Sequence, residues 1–215
     1  MKARFYPVVL SLACGLSPLP AVHAADPAPL PYAFVDPGEA EVAELRRSGE
    51  RVIDHAGNAL LLELRRELAD KTPALAVGAV HLKHYKLPAP VPGKPAVTAL
   101  KRTSLQLRNP ANTPDAADLA ALEMIQRQIE QGDPVSPLLM QKVALPGQPV
   151  EWRLYRPLVV LNQCIACHGP TNSLAPGVAE TLQVFYPADR ATRYRAGEWR
   201  GLLRVSIAAP AAGQP

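Results

Sequence analysis

Apolar positions recur at three- and four-residue steps from Glu39 to Asp70, through Val42, Leu45, Val52, Ala56, Leu60, Leu64 and Leu68. That spacing predicts an amphipathic helical stretch, ended by Thr72-Pro73. Gly49 fills one step of the pattern and, with Gly57, lowers the propensity, so the stretch reads as one bent helix or two short ones. Val97 to Leu107 reads as a strand. A second helix is predicted next: Thr113 as its cap, Pro114 in the first helical position, and Asp115 and Asp118 near its positive end. Leu119, Leu122, Ile125 and Ile129 mark its buried face, and Gly132 stops it. After Pro137 the period shortens to two. Leu138 to Val143, Val150 to Tyr155 and Leu158 to Leu161 are strand-like, with a turn at Pro146-Gly147. A short helix from Pro176 to Val184 and a closing strand from Gly201 to Ala208 complete the pattern. Helices followed by an antiparallel meander predict an α+β domain.

The ends of the chain read differently. Lys2 and Arg4 precede a mostly apolar run from Val8 to Leu19, and Val22-His23-Ala24 offers a peptidase site. This is the layout of a secretory signal over residues 1–24, cleaved after Ala24, which implies a periplasmic protein. The apolar run is shorter than a bilayer needs and is broken by Pro18 and Pro20, so no stable membrane span is expected. Residues 25–37 form a Pro- and Ala-rich leader, 38–210 the domain, and 211–215 a disordered tail. The chain has 215 residues, and the part beyond the signal fits one domain.

Composition narrows the function. The formal charge of +4 loses two units with Lys2 and Arg4, and the rest is scattered, which argues against nucleic acid as a partner. Aromatic residues make up only 5% of the chain, leaving room for a large apolar cofactor to complete the core. Of the three cysteines, Cys14 lies in the signal, so the exported chain keeps Cys164 and Cys167.

These two belong to the run Cys164-Ile165-Ala166-Cys167-His168, the attachment pattern of a haem c. Each thiol adds to one haem vinyl group, and the two intervening residues let both sulfurs reach the same macrocycle. The histidine after the second thiol is then held where its imidazole meets the iron as proximal ligand. Maturation needs an exported location, which the signal independently supplies. Other uses of the pair are weighed against this one. A redox disulfide of thioredoxin type wants a helix opening after the motif, and Gly169-Pro170-Thr171-Asn172-Ser173 is a poor one. A zinc site lacks a second ligand pair. A structural disulfide across two residues is strained and stabilises little.

Three ordered blocks carry a family resemblance. They are Arg102-Thr103-Ser104-Leu105-Gln106-Leu107-Arg108-Asn109-Pro110 with Asn112 and Pro114; Tyr155-Arg156-Pro157-Leu158 leading to Cys164 through Gly169; and Tyr186-Pro187-Ala188-Asp189 with Tyr194, Gly197, Arg200 and Gly201. Over roughly Leu60 to Pro210 the chain resembles a family of single-haem c-type cytochrome domains with a PAS-like fold. Its members are free periplasmic proteins or sensory domains of bacterial signalling proteins. The resemblance implies a PAS-like antiparallel sheet with N-terminal helices and a covalent haem c at one side. It also implies a redox or signalling partner protein. Family members often carry a cysteine as second axial ligand, ahead of the Arg-Thr-Ser block. This chain has none there, and the equivalent place falls close to His81, with His84 as the alternative.

Chemistry gives the same order of candidates for the sixth iron position, His81 before His84, with an open or methionine-ligated iron as the remaining alternative. His55 falls in the first helical pattern, while Met124 and Met140 fit core positions. His81 follows the small-residue stretch Ala76-Val77-Gly78-Ala79-Val80, which suits a porphyrin face. Among Arg102, Arg108, Arg156 and Arg200, one or two are candidates to pair with haem propionates, Arg108 and Arg156 foremost; anchoring of loops is the competing role. Asn109 and Asp189 are expected to fix turns. A covalently held six-coordinate haem suits electron transfer or redox or ligand sensing better than catalysis. A peroxidase-like enzyme needs an exchangeable iron site and an acid–base residue. A non-haem thiol oxidoreductase is the remaining alternative.

Overall fold

The computed structural model describes residues 30–79, 85–145 and 147–208. Five strands make one sheet: β1 Tyr32–Val35, β2 Ala96–Thr103, β3 Leu139–Val143, β4 Glu151–Val159 and β5 Trp199–Ala208. Their order is β1-β3-β4-β5-β2, and every neighbouring pair is antiparallel. Helix α1, Ala43–Asp70, covers one face of the sheet, and α3, Ala116–Gln131, packs on the other. Three shorter α-helices, α2 Pro73–Ala76, α4 Ile165–His168 and α5 Val178–Phe185, and several 3-10 turns complete the described structure. This is the expected α+β fold, built on one antiparallel sheet.

The first helical pattern forms one continuous helix. Gly49 is the reason it fits, because a Cβ there would lie 2.8 Å from both Ile207 Cδ1 and Leu154 Cδ2. The glycine that weakens the helix in isolation lets its backbone press onto the sheet. Val52, Ile53 and Ala56 then meet Met140, Leu154, Leu203, Val205 and Ile207 in the main core. Burial along α1 ends at Ala56, although the apolar stripe continues through Leu60, Leu64 and Leu68, which are only half-buried.

The second helix starts later than expected. Asp115, not Thr113, is the cap, and its carboxylate accepts the Asp118 backbone N–H at 2.9 Å in a reciprocal capping box. Its buried face is Ala117, Ala121, Leu122 and Ile125, while Leu119 and Ile129 are 39% and 41% exposed. The buried arc is centred on small residues because a polar group shares this side. The Asp118 carboxylate, fully buried, accepts from Lys101 Nζ at 2.9 Å and Arg204 Nη1 at 3.1 Å. Arg153 Nη1 lies 2.7 Å from Asp115. A buried carboxylate held by several donors is the arrangement that offsets its desolvation.

Two expected strands, Val150 to Tyr155 and Leu158 to Leu161, are one strand, β4, passing through Pro157. The pairing explains why proline does not break it. β3 begins at Leu139, opposite Tyr155, so Pro157 lies beyond that pairing, where one side of β4 has no partner strand among the described residues. β2 stops at Thr103, short of Leu107, because Ser104 Oγ donates to the Arg200 carbonyl at 2.8 Å and turns the chain. Within the expected Pro- and Ala-rich leader, Tyr32–Val35 enters the sheet as its edge strand against β3.

Candidate functional site

The Cys-x-x-Cys-His run leaves β4 through a single 3-10 turn and becomes α4. Its end is tightly determined. The Gly169 N–H donates to the Ile165 carbonyl at 2.8 Å, and a Cβ on Gly169 would lie 2.7 Å from that oxygen. The chain then doubles back so that residues 189–194 lie along α4. Arg193 N–H donates to Gly169 O at 2.8 Å and Tyr194 N–H to His168 O at 2.9 Å. Arg193 takes the left-handed backbone conformation, φ 70°, to make this approach.

The consequence falls on His168. Its Nδ1 donates to the Ala191 carbonyl at 2.6 Å. That bond places the proton on Nδ1 and leaves the Nε2 lone pair free to bind a metal. Burial first, then the positive charges of Arg108 and Arg200, push the imidazole down to about 3, so it is neutral at ordinary pH. The Tyr194 ring meets it edge-on, with centroids 6.5 Å apart.

Cys164 and Cys167 are unlinked and half-buried. Burial pushes the Cys167 thiol up, against the opposing pull of Arg108. A thiol used for disulfide exchange is shifted the other way.

Arg108 braces the whole arrangement. Its Nη2 donates to the Cys167 carbonyl at 2.6 Å, and Nε and Nη2 reach Asp189 Oδ2 at 3.2 and 3.1 Å. Asp189 Oδ1 in turn accepts the Ala191 N–H at 2.8 Å. Asp189 therefore fixes a turn, as expected, and also joins the motif to the residue that orients its histidine. Arg200 donates to Ser104 Oγ at 2.6 Å and to the Gln106 carbonyl at 2.9 Å, and lies over the Tyr194 ring.

Arg102 and Arg156 both stand opposite Leu203, on the two strands flanking β5. Side chains in one rung share a face, here the α1 face to which Leu203 contributes. Arg156 pairs with Asp54 of α1. No hydrogen bond or ion pair from a described residue engages the Arg102 guanidinium. Burial, then Arg200, lowers its proton affinity, with Tyr186 and Glu63 acting in the opposite sense.

The axial-ligand candidates separate cleanly. His55 is exposed and bonded to the Tyr85 hydroxyl at 3.0 Å. Met140 is buried in the α1-side core, and Met124 packs against the α3-side core, on the opposite face of the sheet from Arg102. His81 and His84 lie outside the described residues. The short helix α2, which ends at Ala76, packs between α1 and α5.

Pattern reading passed over Ala191, whose contribution is a backbone carbonyl and leaves no mark on residue type. Among the described residues no helix is long and apolar enough to cross a membrane.

Residues 90–208 match the family described as Tll0287-like. Among solved structures, the crystal structure of the cyanobacterial haem protein Tll0287 aligns at 28% identity with a TM-score of 0.40. The alignment covers 54% of this chain and 63% of that one. No curated protein matches the chain. The family match takes in β2 to β5, α3 to α5, the whole Cys164–His168 run and the Arg108–Asp189 pair. With more than half of its length so matched, the chain belongs to the Tll0287-like family.

Proposed function

We propose that this chain is a periplasmic haem protein carrying one haem c, joined by thioethers at Cys164 and Cys167 with His168 as proximal ligand. It acts in electron transfer or in redox or ligand sensing. The observation that carries the reading is the 2.6 Å bond from His168 Nδ1 to the Ala191 carbonyl. It aligns an imidazole that burial and nearby arginines keep neutral, immediately beside two free thiols, which is the donor set that a covalent haem needs.

Two further features suit a porphyrin. The apolar stripe of α1 continues past Ala56 through Leu60, Leu64 and Leu68, which the described residues bury only in part. Arg102 offers a desolvated guanidinium on the same face, a fitting partner for a propionate. Arg108 and Arg156 already have carboxylate partners, Asp189 and Asp54, so Arg102 is the stronger propionate candidate of the three. The family's namesake is itself described as a haem protein.

When bound, the haem supplies a reversible one-electron couple. The chain's own residues hold it at two sulfurs, orient the proximal imidazole, and shield one side with Tyr194. His81 is the distal ligand in this proposal, with His84 as the alternative. A six-coordinate iron disfavours a peroxidase-like reaction, and the upward shift of the Cys167 thiol disfavours a thiol oxidoreductase. The electron or the signal passes to a partner protein.

The test is maturation of the full chain in a host that attaches haem c, followed by acid–acetone extraction and a pyridine haemochrome spectrum. Haem retained with a two-thioether spectrum supports the proposal. Colourless protein, or colour lost on extraction, refutes it and revives the thiol reading.

A further inference from the structure

We propose that Asp189, braced by Arg108, is a positioning residue that sets the reduction potential of the iron through His168. The inference rests on the haem reading and extends it from the ligands to the groups behind them. The geometry forms a closed circuit. Arg108 holds the Cys167 carbonyl and the Asp189 carboxylate; Asp189 holds the Ala191 N–H; and the Ala191 carbonyl holds His168 Nδ1. Arg108 Nη2 also approaches that carbonyl, at 3.4 Å.

Three properties make this more than a loop anchor. The ion pair is enclosed, with side chains 13% and 7% exposed, so its charges are weakly screened. Asp189 Oδ1 fixes the backbone at Ala191 in an Asx turn, and that backbone aims the oxygen that receives the imidazole proton. Both groups sit directly behind the proximal side of the motif, where hydrogen bonding and charge change how strongly an imidazole donates to iron.

The two effects have the same sign. A well-aimed Nδ1–H bond makes the imidazole a better donor, which favours the oxidised iron and lowers the potential. The Asp189 negative charge also favours the oxidised, more positive iron. Loss of either raises the potential.

Asp189→Asn separates the contributions, since the amide oxygen can still accept the Ala191 N–H while the charge is gone. Asp189→Ala removes both. The experiment is a redox titration of the full haem-loaded chain, with Asp115→Asn, on the other face of the sheet, as the structural control. The oxidised-to-reduced ratio at a fixed potential is expected to fall threefold to tenfold in Asp189→Asn, about 30 to 60 mV upward at 59 mV per decade. Asp189→Ala shifts further in the same direction, and Asp115→Asn does not shift.

Melting is measured alongside. If both Asp189 variants keep their haem, melt lower and hold the wild-type potential, Asp189 is structural only and the inference is overturned. Should Asp189→Ala fail to load haem, the isosteric Asp189→Asn decides alone. A wild-type chain without attached haem refutes the underlying reading, and the haemochrome spectrum reveals that before any titration.

Discussion

His168 Nδ1 lies 2.6 Å from the carbonyl oxygen of Ala191, a residue twenty-three positions further along the chain. One contact of this kind settles the tautomer, the ring orientation and the free nitrogen of the histidine together. It exists only because residues 189–194 return alongside α4, held by the Gly169 and His168 carbonyls.

In the proposed haem site His168 takes one side of the iron through Nε2, and the proposed distal ligand comes from elsewhere in the chain. Met124 and Met140 are packed into the two cores and His55 is engaged with Tyr85. His81→Ala is expected to abolish the low-spin absorption spectrum of the matured protein, and His84→Ala to preserve it. The reverse pattern would transfer the role to His84.

Arg102 is half-buried and no hydrogen bond from a described residue engages its guanidinium, so in the proposed site a haem propionate would be its partner. Arg102→Leu is expected to lower the stability of the haem-loaded protein by about 1–2 kcal/mol. In a Cys164→Ala/Cys167→Ala chain, which cannot attach haem, the same change is expected to be neutral or stabilising. Thermal unfolding of the four proteins checks the change of sign. An equal loss in both backgrounds would exclude a propionate role.

Two glycines of α1 should respond in opposite ways to alanine. Gly57→Ala meets no atom within 4 Å and gains helix propensity, so it stabilises by about 0.5–1 kcal/mol. Gly49→Ala makes the same local gain but drives its methyl into Ile207 and Leu154, for a net loss of about 1–3 kcal/mol. Urea unfolding midpoints of both variants test this directly.

The capping carboxylate of α3 gives a pH signature. Burial works against ionisation of Asp115, but the Asp118 N–H and the Arg153 guanidinium outweigh it and hold its carboxyl below the ordinary value. A carboxyl depressed in the folded state contributes stability that is fully present above the unfolded value near pH 4. That contribution is lost as the pH falls through the folded value. Asp115→Asn is therefore expected to cost about 1–2 kcal/mol at neutral pH and progressively less as the pH falls through the lowered folded value. A penalty independent of pH would mean that the ion pair with Arg153 contributes nothing.

How much of the fold is legible in residue order depends on the range of the interactions concerned. Helical spacing, turn residues and strand alternation are local, so the α+β class and most elements follow from residue order alone. The Cys164–His168 motif is equally local, because its chemistry requires five consecutive residues. Where local rules misled, a tertiary contact had overridden them. Gly49 reads as a weak point until β4 and β5 press against it, and Pro157 reads as a strand break until it is seen to lie beyond the pairing with β3. Leu119 and Ile129 fit an apolar stripe, yet the buried Asp118 and its cations turn the helix toward Ala117 and Ala121.

The site divides along the same line. Residue types alone named the candidate haem-binding atoms: two thiols, an adjacent imidazole, and a short set of arginines and distal histidines. Only the folded chain decided what the arginines do, pairing Arg108 with Asp189 and Arg156 with Asp54, while no hydrogen bond from a described residue engages the Arg102 guanidinium. It also placed the Ala191 carbonyl behind His168. Ion pairs and backbone hydrogen bonds between distant segments depend on positions in space to within a few tenths of an ångström, and residue order specifies those only through the complete fold.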